Sequence, residues 1–386
     1  MTTKVPFIDL TRFEPEFLSA WQERVVQLSS AAQYIGGPWL NAVEDALTAA
    51  TDAKFVVTCA NGTDALQLAL RAAGITPGDI VLIPDLTFWA TFEAVINVGA
   101  SPYVVDCDAH DLAIDVDRVG RLINTVRPAA VIVVHLYGWG SEALSILRHL
   151  CRAAGIPLIE DAAQAFGVRY EGKPVFAEAQ IATTSFYPAK VLGAAGDGGA
   201  VFCQDAGMAE RIRCLSNHGR TGHYQHEAVG WNSRLDSLQA AYLELSLLHI
   251  NARLASRRKI AKRYRDHLLA WEPDLVAVGP PDAYEENGYC NVCLVGDSAL
   301  KQAIEARLQL TGIEFARIYP APISAQPGAK ALCAGHSGGR VASRVCESVL
   351  NLPLFAYMTE SEVDLVTATV GRAIEQHRQT RSNGSG

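Results

Sequence analysis

The chain has 386 residues, of which 49% are hydrophobic and 19% are charged, a balance typical of a globular protein. Its length predicts one large and one smaller domain. Its net charge of -8 provides no broad positive surface, so we expect it to bind neither nucleic acid nor an anionic membrane. It has no basic-then-apolar N-terminal segment and no run of about 18 apolar residues, which predicts a cytoplasmic protein without a membrane span.

The first half of the chain alternates short apolar segments with helical periods. The predicted strands between residues 54 and 165 are KFVVTCA, DIVLIP, SPYVVDCD, AAVIVVHLYG and PLIEDAA, and IATTSFYP and GGAVFC add two more before residue 205. This alternation predicts an α/β fold with a mostly parallel central sheet flanked by helices. In such sheets ligands bind at the carboxyl ends of the strands.

The second half begins with a long helix. Residues 235–271 contain no Gly or Pro and predict a helix that bridges two domains; its basic stretch, residues 253–265, is interpreted as a solvated face. A small α+β domain follows, with strands in YCNVCLVG and EFARIYP and helices in SALKQAIEARLQLTG and from residue 359. We therefore divide the chain into a large domain, residues 1–250, and a second part, residues 251–386, that holds the long bridging helix and the small C-terminal domain. The last residues, RSNGSG, are expected to form a disordered tail.

Three predicted strand ends carry polar residues that a purely structural strand does not need. In CANGTDAL, residues Asn61, Gly62 and Thr63 open a helix directly after a strand. The free backbone N–H groups of a helix N-terminus attract anions, phosphate above all. An ordinary capped strand-to-helix turn, with Asn61 or Thr63 as the cap, is an equal alternative at this point.

The second strand end is PLIEDAAQAFG, where Glu160 and Asp161 interrupt an apolar strand. Strand alternation sends these carboxylates to opposite faces of the sheet. A buried carboxylate needs a positive partner, so Asp161 is a candidate partner for a protonated ring nitrogen. Its alternative roles are to cap a helix or to pair with an arginine.

The third strand end is SFYPAKVLGAAGDGGA, which places Ser185 near the end of a strand and Lys190 before a glycine-rich loop. A partly desolvated lysine loses its proton more easily and attacks carbonyl carbons. The loop is either a turn with positive φ that approaches a cofactor or a tight link between strands. A lysine, an acid for a ring nitrogen and a phosphate cradle together predict a pyridoxal phosphate site; no metal site is predicted, since CNVC lacks a second cysteine pair.

These motifs also carry a resemblance to a known family. The segments VPFIDL, CANGTDALQLALRAAGITPGDIVLIPDLTFWAT, IEDAAQAFG, SFYPAKVLGAAGDGGA, GWNSRLDSLQAAYLE and LNLPLF resemble, in this order, the DegT/DnrJ/EryC1/StrS family of sugar aminotransferases. The resemblance covers nearly the whole chain. It implies fold type I, the fold of many pyridoxal-phosphate-dependent transferases, with a large domain and a small C-terminal domain.

The resemblance implies roles for residues around the cofactor ring. Lys190 would bond to the cofactor as an imine, and Asp161 would keep the ring nitrogen protonated. Gln164 would lie near the phenolic oxygen of the ring. Phe88 would stack on the ring, with its neighbour Trp89 as the alternative.

The resemblance also implies a phosphate site and a dimer. Gly62, Thr63 and Ser185 would bind the cofactor phosphate. Asn232, in GWNSRLD, would reach across a subunit interface to the phosphate of the partner. A homodimer with composite sites follows from that role.

Two positions depart from the usual pattern of the family. Val191 follows the lysine where an asparagine is common, and Ser324 lies where a histidine is frequent, so the substrate contacts are expected to differ. For the sugar pocket, four residues are candidates, with packing or local hydrogen bonding as the equal alternative for each. They are His135, Tyr187, His218 and Tyr319.

The predicted function is transfer of an amino group from L-glutamate to a nucleotide-linked keto sugar. VPFIDL resembles members that aminate C3 of a dTDP- or UDP-linked sugar more than members that act at C4, which is the alternative. A sugar dehydratase is disfavoured because family members of that kind have histidine in place of Lys190. A non-catalytic regulator is disfavoured because Lys190, Asp161, Ser185 and Asn232 are all present. The pathway stays open among lipopolysaccharide O-antigen, another surface glycan and a natural-product deoxysugar.

Overall fold

The structure, a computed structural model, describes residues 4–384. The helices of this region are α1 Phe17–Ala31, α2 Pro38–Thr51, α3 Gly62–Ala72, α4 Trp89–Asn97, α5 Val116–Thr125, α6 Leu144–Ala154, α7 Ala206–Ser216, α8 Ser237–Leu268, α9 Ser298–Thr311, α10 Arg340–Ser348 and α11 Glu360–Gly384. Short 3-10 turns cover Leu136–Gly138, Leu269–Trp271 and Ile323–Ala325. None of these helices combines the length and the apolar character that crossing a bilayer requires.

The strands belong to one large and three small sheets. In chain order they are β1 Phe55–Cys59, β2 Ile80–Pro84, β3 Ser101–Val105, β4 Ala130–Val134, β5 Leu158–Asp161, β6 Arg169–Tyr170, β7 Lys173–Pro174, β8 Ile181–Ser185, β9 Gly199–Cys203, β10 Arg220–Gly222, β11 Gln225–His226, β12 Val276–Val278, β13 Tyr284–Glu285, β14 Val292–Leu294, β15 Gly335–Ser337 and β16 Val349–Leu350. The small sheets are β12-β14-β16, β13-β6-β7 and β10-β11.

The central sheet has eight strands in the order β1-β9-β8-β5-β4-β2-β3-β15. Neighbouring strands are parallel except at β9, which is antiparallel to both β1 and β8. All seven strands predicted between residues 54 and 205 are present, and the predicted mostly parallel sheet is confirmed. In the pairing of β4 with β5, Val134 lies opposite Asp161, so the carboxyl ends of the parallel strands meet at one edge of the sheet.

Two apolar cores lie along α8, which begins at an N-cap where the Asp236 side chain accepts the N–H of Gln239 at 2.9 Å. Leu243 and Leu254 of this helix pack into the core around the central sheet. Tyr264 packs into the second core, which α9, α11 and the N-terminal Val5 complete. This arrangement fits a bridging helix, while the division at residues 250 and 251 stays a prediction.

Three parts of the C-terminal region differ from the prediction. EFARIYP is not a strand, because only Ala316 forms a bridge, with Asn351. A strand that was not predicted, β15, pairs in parallel with β3 at the edge of the central sheet. The predicted disordered tail begins inside α11, which continues through Gly384, and residues 385–386 lie outside the described residues.

The glycine-rich loop after Lys190 is a close backbone contact and not a turn with positive φ. Its four glycines have ordinary φ values. A Cβ on Gly199 would lie 2.4 Å from the carbonyl oxygen of Asn61, and one on Gly193 would lie 2.4 Å from that of Pro188. Glycine is therefore required here because β9 passes directly beside the start of α3.

Candidate active site

A cavity of about 710 Å³ lies at the carboxyl ends of the central strands, bordered by the N-terminal ends of α3 and α4. Segments that are distant in sequence, around residues 289 and 319, form its opposite wall. Most of the predicted site residues line this cavity. They are Gly62, Thr63, Phe88, Asp161, Gln164, Ser185, Tyr187, Lys190 and Tyr319.

Asp161 ends β5 and is buried at the floor of the cavity, with 5% of its surface exposed. Its Oδ2 accepts a hydrogen bond from the hydroxyl of Thr91 at 3.0 Å, and its Oδ1 accepts one from the N–H of Ala163 at 3.2 Å. Burial raises the pKa of Asp161, outweighing these bonds and the charge of Lys190. A cationic N–H group placed beside this carboxylate would stabilise its charged form.

Lys190 lies in the turn after β8, where its backbone N–H donates to the carbonyl of Tyr187 at 2.8 Å. Burial lowers the pKa of Lys190 to about 8, and the charge of Asp161 only partly opposes that effect. Its Nζ lies 3.5 Å from the Tyr289 hydroxyl and 5.2 Å from the centroid of that ring. About a tenth of this amine is therefore unprotonated at pH 7, far more than for an ordinary lysine, and the free amine is the form that attacks carbonyl carbons.

The start of α3 forms an anion cradle next to Ser185. Asn61 caps this helix by accepting the N–H of Asp64 at 2.8 Å, so the cap predicted at this turn is present. Gly62 and Thr63 occupy the first turn, whose N–H groups have no partner within a helix. A Cβ on Gly62 would lie 2.7 Å from Cβ of Ser185, so only glycine lets the helix start this close to the end of β8.

Gln164 links the two walls of the cavity. Its Oε1 accepts the N–H of Tyr137 at 2.7 Å, and its Nε2 donates to the Tyr319 hydroxyl at 3.0 Å. The Phe88 ring lies 6.0 Å from the Tyr319 ring, and 58% of Phe88 is exposed. Phe88 thus presents a free aromatic face to the cavity, whereas Trp89, the predicted alternative, is outside the lining and packs against the core.

Three predicted residues lie elsewhere. His135 is wholly buried, and its Nε2 lies 2.9 Å from Glu160, which also binds Arg148 at 2.8 Å. Glu160 is not among the residues that line the cavity. The position of His135 therefore fits the alternative expected for it, which was local hydrogen bonding. His218 and Asn232 are exposed and also lie outside the cavity of their own chain.

The two positions that depart from the family pattern are also outside the cavity. The Ser324 hydroxyl donates to Oδ2 of Asp85 at 2.8 Å, and its N–H donates to Oδ1 at 2.8 Å. Ser324 therefore fastens the C-terminal segment to the end of β2. Val191 is buried in the core beside the lysine loop.

The sequence analysis missed two residues of the site. Thr91, the third residue of α4, orients Asp161, and its hydroxyl also shares a hydrogen bond with the Thr87 hydroxyl at 2.8 Å. Its position three residues after Phe88 was a usable signal. Tyr289 gives no such signal, because it lies 99 residues after Lys190, in a segment whose sequence is typical of an ordinary strand.

The chemistry of this donor set fits pyridoxal phosphate. The amine of Lys190 and the carboxylate of Asp161 line the same cavity as the start of α3. The amine has a lowered pKa, the carboxylate has a raised pKa and gains from a cationic ring nitrogen, and the helix start favours a phosphate. Lys190, Asp161, Gly62 and Thr63 are the residues that would hold the group.

Comparisons with known proteins agree with this interpretation. The model of the DegT/DnrJ/EryC1/StrS aminotransferase family matches residues 18–371. UDP-2-acetamido-2-deoxy-3-oxo-D-glucuronate aminotransferase of Pseudomonas aeruginosa is 35% identical over 368 residues, covering 95% of this chain and 99% of the relative.

Two solved structures have the same fold. The crystal structure of DesV from S. venezuelae has a TM-score of 0.92 at 33% identity, with 97% of this chain and 99% of that chain covered. NtdA from Bacillus subtilis, solved with bound cofactor PMP, has a TM-score of 0.88 at 25% identity, with 97% and 86% covered. The predicted fold type I is confirmed, and the chain belongs to the DegT/DnrJ/EryC1/StrS aminotransferase family.

Proposed function

We propose that this protein is a pyridoxal-phosphate-dependent aminotransferase that moves an amino group from L-glutamate to a nucleotide-linked keto sugar. One observation carries the proposal: Lys190 and Asp161 line a single cavity together with the start of α3. The group supplies a carbonyl carbon that exchanges amino groups and a ring that takes up electrons. The family membership and the sugar-nucleotide name of the P. aeruginosa relative support the acceptor class.

Lys190 would act as the base of the reaction. With a pKa of about 8, a minor part of it exists as a free amine at neutral pH. It would accept the α-proton of the bound amino acid, because its loop would hold it beside that carbon. Tyr289, 3.5 Å from Nζ, orients the amine. Asp161, held by Thr91, stabilises a proton on the ring nitrogen and so favours electron withdrawal from the reacting carbon.

The other lining residues would bind and orient. The N–H groups of Gly62 and Thr63 would bind the phosphate together with the Ser185 hydroxyl, which already accepts the N–H of Tyr187 at 3.2 Å. Phe88, which lines the cavity, would cover one face of the ring. With both ends of the cofactor fixed, the reacting carbon stays next to Lys190.

The acceptor we propose is a 3-keto sugar linked to dTDP or UDP, with a 4-keto sugar as the alternative. The support is the resemblance of VPFIDL to C3-aminating members and the 3-oxo substrate in the name of the P. aeruginosa relative. Offering 3-keto and 4-keto nucleotide sugars to the aminated enzyme and identifying the amino sugar by mass spectrometry and NMR distinguishes the two.

We also propose a cytoplasmic homodimer in which Asn232 completes the partner's phosphate site. Its support is that Asn232 is exposed and outside its own cavity, on a surface that also exposes Tyr224 and Val229 by 83% and 84%. Lys190→Ala and Asn232→Ala are each expected to be inactive. Mixed in equal amounts and exchanged, they would regain up to about a quarter of wild-type activity, because about half of the dimers are heterodimers and each heterodimer contains one intact site out of two. Activity that never returns contradicts the composite site.

The function itself is tested by absorption spectroscopy of the purified protein. Glutamate is expected to convert the visible band of the bound pyridoxal form into the pyridoxamine spectrum in the wild type. Lys190→Ala is expected to lack the conversion. A protein that never acquires the visible band after addition of pyridoxal phosphate would overturn the proposal.

A further inference from the structure

A second, smaller cavity lies on the other side of the lysine loop. Its volume is about 90 Å³, and Pro188, Lys190 and Val191 form one of its walls. Lys190 is the residue that lines both cavities. This volume accommodates one carboxylate with a few water molecules but not a sugar or a nucleotide.

Three arginines also line this small cavity. They are Arg12, Arg253 and Arg257. The first two are neutralised by carboxylates: Arg12 pairs with Asp9 at 2.9 Å and with Glu362 at 2.5 Å, and Arg253 pairs with Glu14 at 2.7 Å. Asp9 also lines the cavity, and it accepts a further hydrogen bond from the Thr11 hydroxyl at 2.7 Å.

Arg257 differs from its neighbours. It is 6% exposed, although the sequence places it in a stretch expected to face solvent. Its Nη1 donates to the carbonyl of Gly288 at 3.1 Å, and among residues 4–384 no carboxylate lies within ion-pair distance of it. Burial lowers the pKa of Arg257 to about 10, which is the sign of a cation that lacks a counter-charge.

Within the described part of the chain, only one of the five N–H groups of this buried guanidinium donates a hydrogen bond. Burying such a cation costs free energy, and an anion bound beside it would remove most of that cost. We propose that this small cavity, the Arg257 recess, binds one carboxylate or an equally small monovalent anion through the Arg257 guanidinium. The anion has two possible sources, a free ion or a carboxylate of the amino donor. Binding of the donor's carboxylate rests on the proposed function, whereas binding of a free ion does not.

The first experiment measures thermal unfolding of the full-length protein in sodium acetate and in sodium gluconate at equal ionic strength, since gluconate is too large for the recess. Acetate at ten times its Kd is expected to raise Tm by about 2 °C over gluconate. Arg257→Met is expected to lose this difference, whatever its own Tm. The exposed Arg378, replaced by Met, is the matched control and keeps it. Equal Tm values in the two salts, or a difference that survives in Arg257→Met, would overturn the site.

A second variant and a second readout keep the test decisive where Arg257→Met does not fold. Arg257→Lys retains the charge with fewer donors and is expected to keep a smaller acetate effect. Wild-type crystals soaked in bromide are expected to give an anomalous peak in contact with the Arg257 guanidinium. An empty recess at saturating bromide contradicts the proposal.

A kinetic experiment distinguishes the two sources. If the donor's carboxylate enters the recess, acetate raises the apparent KM for glutamate without changing the rate at saturation, and Arg257→Lys raises that KM about tenfold. If a free anion occupies it, acetate stabilises the protein while the KM for glutamate is unchanged. The acetate experiment needs no turnover, so failure of the proposed function and failure of the recess are distinguishable.

Discussion

Replacing Lys190 by methionine is expected to stabilise the cofactor-free protein. Burial in the folded chain lowers the pKa of this amine from 10.5 to about 8. At pH 7 the charged amine is therefore desolvated in the folded state but hydrated in the unfolded state, which reduces the free energy of unfolding. At about 1.4 kcal/mol per pH unit, the cost is about 3 kcal/mol. We expect Lys190→Met to gain about 2–3 kcal/mol in free energy of unfolding at pH 7, since Met fills a similar volume without a charge.

The gain depends on pH in a direction that follows from the two pKa values. Below about pH 7 the amine is almost wholly protonated in both states, and nearly the full cost is present. Between about pH 8 and 10.5 the folded protein releases its proton first, so the wild type becomes more stable relative to the variant as pH rises. Above this window the difference disappears.

Urea unfolding of both proteins at pH 7, 8, 9 and 10, at one fixed protein concentration, measures this difference. Titrations common to both proteins cancel when the two free energies are subtracted. Lys173→Met is the matched control, because Lys173 is exposed and pairs with Glu178, and it is expected to give no gain. A Lys190→Met variant that is less stable than the wild type, or a gain that does not change with pH, would refute the reasoning.

Three further substitutions test the site. Tyr289→Phe removes the hydroxyl 3.5 Å from Nζ of Lys190, and stopped-flow spectroscopy should give an about tenfold slower half-reaction with glutamate at an unchanged KM; an unchanged rate would remove Tyr289 from the site. Asp161→Asn keeps the shape but loses the charge, and the same assay should show a rate lower by about 10²–10³; a rate near the wild-type value contradicts its role at the ring nitrogen. Gly62→Ala adds a Cβ 2.7 Å from the neighbouring strand, and it should cost about 1–3 kcal/mol in urea unfolding and weaken cofactor binding. Gly296→Ala, where a Cβ meets nothing within 4 Å, is its control and should be nearly neutral.

The sequence predicted the parts of the site that lie at strand ends. Asp161 and Lys190 each follow an apolar strand, and parallel strands bring their carboxyl ends together, so short-range pattern was enough to place them. Gly62 was predictable for the same reason, as the start of a helix after β1. The close approach of β9 to this helix was not predictable. The need for glycine at position 199 is visible only once the backbones of two segments distant in sequence are placed side by side.

The missed features depend on contacts between distant segments. His135 directly follows β4, whereas Asp161 is the last residue of β5. The His135 ring lies next to Glu160, and its apolar sequence neighbours gave no sign of that contact. EFARIYP alternates in the manner of a strand, but among the described residues it forms a single β-bridge, between Ala316 and Asn351. The Asn351 side chain also accepts the N–H of Ile318 at 2.7 Å and so holds the segment in place. Tyr289 enters the site from a different region of the chain, and local pattern carries no information on that.

The position of Val5 has a consequence for how the chain matures during synthesis. Val5 pairs with Ile313 and is fully buried in the second core, and Arg12 binds Glu362 of α11. Because a ribosome makes the N-terminus first, this segment emerges more than 300 residues before its last partners do. The central sheet has all of its strands except β15 by residue 203, so it can form early. The N-terminal segment can complete its contacts only after α11 has been synthesised, and until then Val5 stays exposed to solvent.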